Sequence, residues 1–579
     1  MAVCCAPTNE TPLLGRGDTV EGMVDYKGRR VIRSKSGGWR SAIFIIGVEM
    51  AERCSYYGIS SNLISYLTGP LGQSTATAAA NKNAWSGAVS MLPLLGGFVA
   101  DAYLGRFRTI LVSSLLYILG LGLLTVSAIH PSPSLPYCQN TRNHISLPPS
   151  QFQVFFFFAS LYLVALAQGG HKPCVQAFGA DQFDGWNPRE CRSKSSFFNW
   201  WFFGICSSSF ISIVILSYIQ DNLNWVLGFG IPCISIAAAL VVFLLGMKTY
   251  RYSAEEDRSN PFSRIYQALV AAARNWHTPP STAAVAKDEE AREELSQHGT
   301  HQFKFLDKAL TTVSNDQLGS DENWKIGSIS RVEEAKVVLN LVPTWATCLM
   351  YGVVSVQSST FFTKQGYTMD RSITSGFEIP PASLQSIIFL SIVIFIPIYD
   401  RVIVPIARAY TRKPSGITIL QRIGTGMFLS IISMVVAAVV EKVRLRVARE
   451  SGLIDMPQAT LPMKVWWLIP QYFLFGVADA FAMVGLQEFF YDQVPKGLRS
   501  MGLSLYLSIF GMGNFLSSFL IFVIEKATSR EGQENWFANN LNQAHLDWYY
   551  CLLTGLSAVE LALYLYFAKS YIYNRGSSI

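Results

Sequence analysis

Long apolar runs alternate with short polar breaks along most of this chain. The runs fall near 41–67, 84–104, 109–129, 152–172, 197–220 and 225–247, with a second group near 336–359, 383–407, 417–440, 465–485, 499–524 and 548–568. At about 1.5 Å of rise per helical residue, roughly 20 apolar residues cross a bilayer. The pattern predicts an all-α membrane protein with twelve transmembrane helices in two six-helix bundles. The interval between the groups is too polar to span. Within it Phe262, Ile265, Tyr266, Leu269 and Val270 recur at helical spacing, which predicts an amphipathic helix lying along the membrane surface. The resulting plan is a tail (1–39), a first bundle (40–248), a linker (249–335), a second bundle (336–569) and a short carboxyl-terminal tail (570–579).

Composition agrees with the pattern. Half of the residues are hydrophobic and only 15% are charged, against about 25% in ordinary soluble domains. The net charge of +7 sits mostly in loops, where it orients a membrane chain and implies no nucleic-acid partner. Lys27, Arg29, Arg30, Arg33, Lys35 and Arg40 crowd the start of the first run, which places the amino terminus in the cytosol. Arg106 and Arg108, then Arg189, Arg192 and Lys194, then Arg401, Arg408, Arg412 and Lys413 fall on the same side. One interval dissents. Residues 441–464 belong outside by the span count, yet they hold Lys442, Arg444, Arg446, Arg449 and Lys464. The first forty residues are polar, so no cleavable leader is expected. Cys54, Cys174, Cys206, Cys233, Cys348 and Cys551 lie inside runs, and no Cys/His spacing suggests a metal. Cys4 and Cys5 are acylation candidates, with an unmodified tail as the simpler reading.

Against this apolar background, Glu49, Glu52 and Arg53 stand out within the first run. At i, i+3 and i+4 they share one helix face. Ionised groups at membrane depth face a bundle interior or a water path, because lipid exposure costs at least about 2.5–3.5 kcal/mol. A structural ion pair is one reading. Two carboxylates against one guanidinium leave surplus negative charge, however, and a low-dielectric site relieves that surplus by binding a proton. Gly97, Asp101, Gly105 and Arg106 form a G-x-x-x-D-x-x-x-G-R stretch at the end of the second run, read as a gate and conformational latch. Lys172, after Gln168-Gly169-Gly170-His171, lies either inside the fourth run or at its edge. Glu488, which with Asp479 is one of two acids in the tenth run, lies near that run's cytosolic end. Gln357 and Thr360 offer neutral hydrogen bonds from the seventh run. No nucleophile–base pair or metal-ligand set suggests an enzyme, and no cofactor is expected beyond protons as the coupling ion.

These residues carry a resemblance. The chain is similar to the plant nitrate transporter/peptide transporter family, the plant branch of the proton-coupled oligopeptide transporters within the major facilitator superfamily. The matching stretches include Glu49-Met50-Ala51-Glu52-Arg53, Gly96-Gly97-Phe98-Val99-Ala100-Asp101-Ala102, Gly170-His171-Lys172-Pro173-Cys174, Phe178-Gly179-Ala180-Asp181-Gln182-Phe183, Phe198-Asn199-Trp200-Trp201, Phe303-Lys304-Phe305-Leu306-Asp307-Lys308-Ala309, Leu420-Gln421-Arg422-Ile423-Gly424 and Glu488-Phe489-Phe490-Tyr491-Asp492-Gln493. The resemblance implies alternating access with a site between the halves, and proton-coupled symport of nitrate, a short peptide, a plant hormone or a specialised metabolite. It implies that Glu49, Glu52 and Arg53 couple protons. It also implies that Arg53, Tyr57, Lys172 and Glu488 line the substrate site. Where the family's nitrate carrier has a His, this chain has Ser355, which can donate one hydrogen bond but cannot become cationic. Two other readings stay open: a vacuolar-membrane nitrate or anion exporter or exchanger, and a non-transporting membrane sensor. The membrane is the plasma or the vacuolar one, and the oligomeric state is unassigned.

The charge distribution and even span count put the amino terminus, the 249–335 linker and the carboxyl terminus on one side. Protease protection of tagged termini should find both cleaved from the cytosolic face, and opposite sides would sink the twelve-span plan.

Overall fold

The computed structural model describes residues 19–129, 150–184, 187–253, 335–374, 377–411, 417–457, 459–494, 499–528 and 535–571, together with 270 and 273. Six long helices make up the first half: α1 (Trp39–Ser60), α2 (Thr75–Val99), α3 (Arg106–Ile129), α4 (Gln151–Ala180), α5 (Pro188–Asn222) and α6 (Trp225–Leu245). The second half holds α7, a helix broken into Ala335–Ala346 and Leu349–Tyr367 with a bend of 47°. It continues with α8 (Ser386–Ile398), α9 (Ile419–Glu450), α10 (Ile469–Asp492), α11 (Arg499–Thr528) and α12 (Leu546–Ser570). Ten of these, counting the bent one once, are long and apolar enough to cross a membrane among the described residues. The two that fall short are α1, with its four charges (Arg40, Glu49, Glu52 and Arg53), and α2, with its Lys82 and polar start.

Local chemistry accounts for the helix ends. Ser74 caps α2 by accepting from the Thr77 amide, and Ser150 caps α4 through the Gln153 amide. Thr418 and Gln421 form a reciprocal capping box on α9. One wide π-helical turn, Ala100–Leu104, follows α2, and Gly105, at φ 76°, redirects the chain into α3. The outward faces carry exposed Phe152, Phe155, Val241, Leu245, Phe519 and Tyr566. In water such surfaces would associate, whereas here they meet lipid.

Crossings within the first half are tight. A Cβ on Gly96 of α2 would stand 2.1 Å from the Gly169 carbonyl oxygen of α4, and one on Gly170 would stand 2.3 Å from Ser113 Oγ of α3. Gly97 is not the contact residue of that crossing; the nearest atom to its Cβ position is 3.9 Å away. The two halves meet along two seams, α2 against α11 and α5 against α8. Helices alternate in direction, so each seam has a near end, where Trp39 begins α1, and a far end.

Several boundaries differ from the sequence reading. The first run breaks after Ser60 and resumes as a short helix, Leu63–Thr68. Helix α4 extends to Ala180, eight residues beyond the expected end, which carries Lys172 inside. The tail is ordered from Thr19. Strands β1 (Thr19–Val24) and β2 (Arg30–Ile32) pair antiparallel, and β1 also pairs with β3 (Tyr252–Ser253). Arg251 and Glu190 brace this sheet at the near end, with Arg251 Nη1 2.7 Å from Glu190 Oε2 and Arg251 Nη2 2.8 Å from the Ser36 carbonyl oxygen. Burial alone would raise the Glu190 carboxyl, but hydrogen bonds from Arg251 and the Asp184 amide hold it below its ordinary value. Cys4, Cys5, most of the expected linker helix and the last eight residues lie outside the described residues.

The dissenting interval 441–464 is corrected too. Helix α9 runs to Glu450, and Arg444 is no loop charge. It is fully buried, donating to Glu441 at 2.8 and 2.7 Å, to Asn542 Oδ1 at 2.8 Å and to the Leu541 carbonyl at 2.6 Å. Glu441 also accepts from Gln365 at 2.6 Å. The arginine is neutralised inside the bundle and drops out of the loop-charge count. Glu441→Gln would strand the Arg444 charge, so the loss should be about 3–5 kcal/mol. Thermal unfolding in detergent checks this. An unchanged midpoint would mean the pair is hydrated, and Glu441→Gln with Arg444→Met should recover part of the loss.

Candidate functional site

Helix α1 carries the charged face inward. Glu49 and Glu52 are buried, at 2% and 0% exposure. Arg53 Nε donates to Glu49 Oε1 at 2.8 Å and lies 3.4 Å from Glu52 Oε2. From α4, Gln168 Nε2 donates to Glu52 Oε1 at 2.7 Å and to the Tyr117 hydroxyl of α3 at 2.8 Å. Lys172, one turn further along α4, faces the same way. Its ammonium is 5.2 Å from the Tyr56 ring centroid, and that ring stacks on Trp85 of α2 at 5.9 Å. Lys172 interacts electrostatically with Glu49, Glu52 and Arg53. One oxygen on each carboxylate, Glu49 Oε2 and Glu52 Oε2, has no hydrogen-bond partner despite its burial. Such an oxygen is open to a proton.

The second half closes the site. Tyr57 meets Phe389 of α8 edge-on at 5.0 Å, a contact between halves. Asp479 of α10 is buried and accepts a hydrogen bond from the Tyr351 hydroxyl of α7. Tyr506 of α11 lies within electrostatic reach of both Arg53 and Asp479, and Tyr57 within reach of both as well. Three carboxylates (Glu49, Glu52, Asp479) therefore share one interior with two cations (Arg53, Lys172). The formal sum is −1 when all are ionised.

Glu49, Glu52, Arg53, Tyr57 and Lys172 come together as the sequence suggested. Glu488 does not join them. It is 46% exposed near the end of α10, with Arg422 Nη1 3.6 Å away. Asp479, nine residues earlier, is about 13 Å closer to the centre along the helix. It is the α10 acid at the site, and its place in the middle of an apolar helix was the available signal. Gln357 is also displaced. Its Nε2 donates to the Val353 carbonyl at 2.9 Å and to the Tyr549 hydroxyl of α12 at 3.4 Å. Ser355, two residues back and so on nearly the opposite face, follows Tyr351 by one turn and is partly exposed. Its hydroxyl donates to the Gly352 carbonyl at 2.7 Å. Arg106 pairs with Asp181 at the end of α4, which joins two elements of the same half, while Asp101 lies on the turn between α2 and α3. Gln168, Tyr117, Tyr351 and Tyr506 were not singled out from sequence. Neutral polar residues in apolar runs are too common to mark a site.

Known proteins share this architecture. Residues 107–537 match the model of the POT family. Arabidopsis thaliana Protein NRT1/PTR FAMILY 5.10 is 63% identical over 552 residues, covering 95% of this chain and 96% of its own. NRT1/PTR FAMILY 5.12 from the same plant is 53% identical, covering 98% of each chain. The crystal structure of an auto-inhibited POT family peptide transporter superposes with a TM-score of 0.67 at 20% identity, covering 93% of this chain and 99% of that one. At that identity the structural likeness speaks to fold alone.

The contrast between the two α10 acids is testable. Removing a buried charge that receives a hydrogen bond costs about 1.5–3 kcal/mol, roughly tenfold or more in kcat/KM. Asp479→Asn should lower proton-driven uptake by that factor, and Glu488→Gln should stay within about twofold of the wild type, since exposed ion pairs contribute little. The reverse order would return the role to Glu488.

Proposed function

We propose, for a chain that belongs to the POT family and is therefore a multi-pass membrane transporter rather than an enzyme, that it is a proton-coupled symporter working by alternating access between its two six-helix halves. The observation that carries this reading is the unbalanced interior charge. Two carboxylates of α1, each with one oxygen that takes no hydrogen bond, share Arg53 and stand across from Lys172 and Asp479.

Low-dielectric sites penalise net charge, so the empty carrier holds about one proton on this cluster. An incoming carboxylate or other anion is drawn to Arg53 and Lys172. In taking a hydrogen bond from Arg53 it competes with Glu49, and the released carboxylate takes up a proton. Substrate binding and proton binding thereby favour each other without direct contact. A zwitterion adds no net charge and travels with about one proton, whereas a monovalent anion leaves the sum negative and recruits more than one. The gradient suffices: a membrane potential contributes about 2.3 kcal/mol per charge per 100 mV and a pH difference about 1.4 kcal/mol per unit.

The near end, with its concentration of Arg and Lys, is read as cytosolic, and the far end as the external or vacuolar-lumen side. Hydrogen bonds join the halves at the far end: Asn83 Nδ2 to Ser517 Oγ at 3.1 Å, Ser518 Oγ to the Ala80 carbonyl at 2.8 Å, Gln385 Nε2 to the Ser61 carbonyl at 2.8 Å, and Tyr367 to Asp221 at 3.0 Å. This arrangement corresponds to a carrier shut on that side.

Reconstituted protein tests the coupling. Glu52→Gln mimics a protonated carboxyl, so it should abolish accumulation driven by a pH difference while leaving solute exchange at equal pH intact. Glu49→Gln should behave alike. If both variants still concentrate solute from a pH difference alone, the α1 cluster is structural. Binding without flux in the wild type would favour a sensor instead.

A further inference from the structure

We propose that Lys82 and Lys364 form a paired anion-attracting site in the far mouth, masked while the halves are shut there and bared when they part. The proposal rests on the alternating-access reading above and adds to it a ligand class, small anions, at a place remote from the Glu49–Arg53 cluster.

The two lysines are arranged reciprocally. Lys82, on α2 and 3% exposed, reaches into the second half and donates to the hydroxyl of Ser359, at the break between Gln357 and Phe361. Lys364, from the second half, reaches into the first and donates to Thr68 Oγ1 at 2.7 Å, beside the Tyr367 ring at 5.5 Å. Each hydroxyl already donates its own proton to a carbonyl: Ser359 to Val356 at 3.2 Å and Thr68 to Ile64 at 2.9 Å. Each therefore presents a lone pair to the ammonium.

Neither lysine has a carboxylate partner among the described residues, and the hydrogen-bond partner of each is a neutral hydroxyl. Asp221, the acid of this region, is engaged by Asn62 at 2.7 Å and by Tyr367, and it feels Arg371. A neutral hydroxyl satisfies an ammonium's geometry without cancelling its charge, so two uncompensated charges are enclosed at a cost. Holding the seam shut does not require that cost. The neighbouring Asn83–Ser517 and Ser518–Ala80 bonds join the same surfaces with neutral groups. The charges gain a use when the seam opens. Both hydroxyl partners then move away with the opposite half, and two ammoniums are left hydrated in a low-dielectric funnel, where fields are focused and anions concentrate.

The test reads local potential and needs no knowledge of the substrate. Ala80→Cys places a thiol on the same seam two residues before Lys82, in full-length protein in liposomes, with Cys551→Ser removing the one fully exposed thiol among the described residues. The same background without Ala80→Cys supplies the baseline. Rates of modification by an anionic and a cationic methanethiosulfonate reagent are compared. The anionic reagent should be favoured roughly tenfold over its ratio on a free thiol, a preference that fades with added salt. The pair Lys82→Gln with Lys364→Gln should bring the ratio to parity, and Lys82→Arg with Lys364→Arg should restore it. Millimolar nitrate, as the anion probe, should slow modification with the native lysines and not with the glutamines. A ratio unmoved by the glutamines overturns the proposal, as does a position-80 thiol that never reacts. Loss of pH-driven transport with the charge ratio preserved would instead overturn the symport reading and leave this site standing.

Discussion

Charge enclosed at membrane depth must be answered within the protein, and the way each charge is answered sorts this structure into fixed and moving parts. Arg444 is the fully answered case. Glu441 meets it through two oxygens, and Asn542, Thr368 and the Leu541 carbonyl take its remaining hydrogens. Such a pair gains nothing from movement and holds α9 against α12. The α1 cluster is answered incompletely, because one guanidinium serves two carboxylates and two oxygens are left over. Carboxylates this close titrate as a unit rather than singly, and that is the basis of the coupling role proposed for them.

The same distinction applies to packing. Contacts inside a half are made by backbone brought close at glycine, as where Gly96 crosses Gly169 and Gly352 crosses Gly513. Such surfaces interlock and cannot slide without steric overlap. Between the halves, the far-end contacts are hydrogen bonds from side chains with water as a ready substitute partner. The α2–α11 seam is also close at glycine, where Gly511 meets Met91 and Gly87 meets Phe515. What sets the far end apart is that side-chain hydrogen bonds join the halves there, and water can replace each partner.

Much of this was legible in the sequence because apolar runs and their interruptions are written locally. Each of the twelve runs holds a helix among the described residues, the first and seventh in broken form, and the i, i+3, i+4 spacing at Glu49, Glu52 and Arg53 fixed a shared face. Less was legible where position along a helix decides the matter. Glu488 lies in a stretch shared with the family but near a helix end, while Asp479 sits nearer the middle of the same helix. Lys172 was ambiguous because the end of α4 depends on packing against α2 and α3. The 441–464 interval misled because a loop-charge count cannot see that Glu441 has cancelled Arg444 three residues on. Gln357 was read from its polarity within an apolar run, which does not tell which face it occupies, and its side chain turns to Val353 and Tyr549 instead.

Helix α7 brings the central site and the far seam onto one element. Its bend leaves the amides of Leu349, Met350 and Tyr351 without partners in the preceding limb, and Glu560 of α12 receives them, with Met350 at 2.8 Å. This carboxylate fixes where the second limb starts. From that start Tyr351 reaches Asp479, Ser355 follows one turn on, Ser359 receives Lys82, and Lys364 crosses to Thr68. The path from the central acid to the far-end lysines thus runs along one stretch of chain, a helix from Leu349 to Gln357, a break that holds Ser359, and a second helix from Phe361 to Tyr367 that holds Lys364. Glu560 holds the base of this limb through its first amides, and Tyr351 ties it to the central acid one step on. Ser359 and Lys364 tie its far part to the first half, so the contacts of both sites bear on one element.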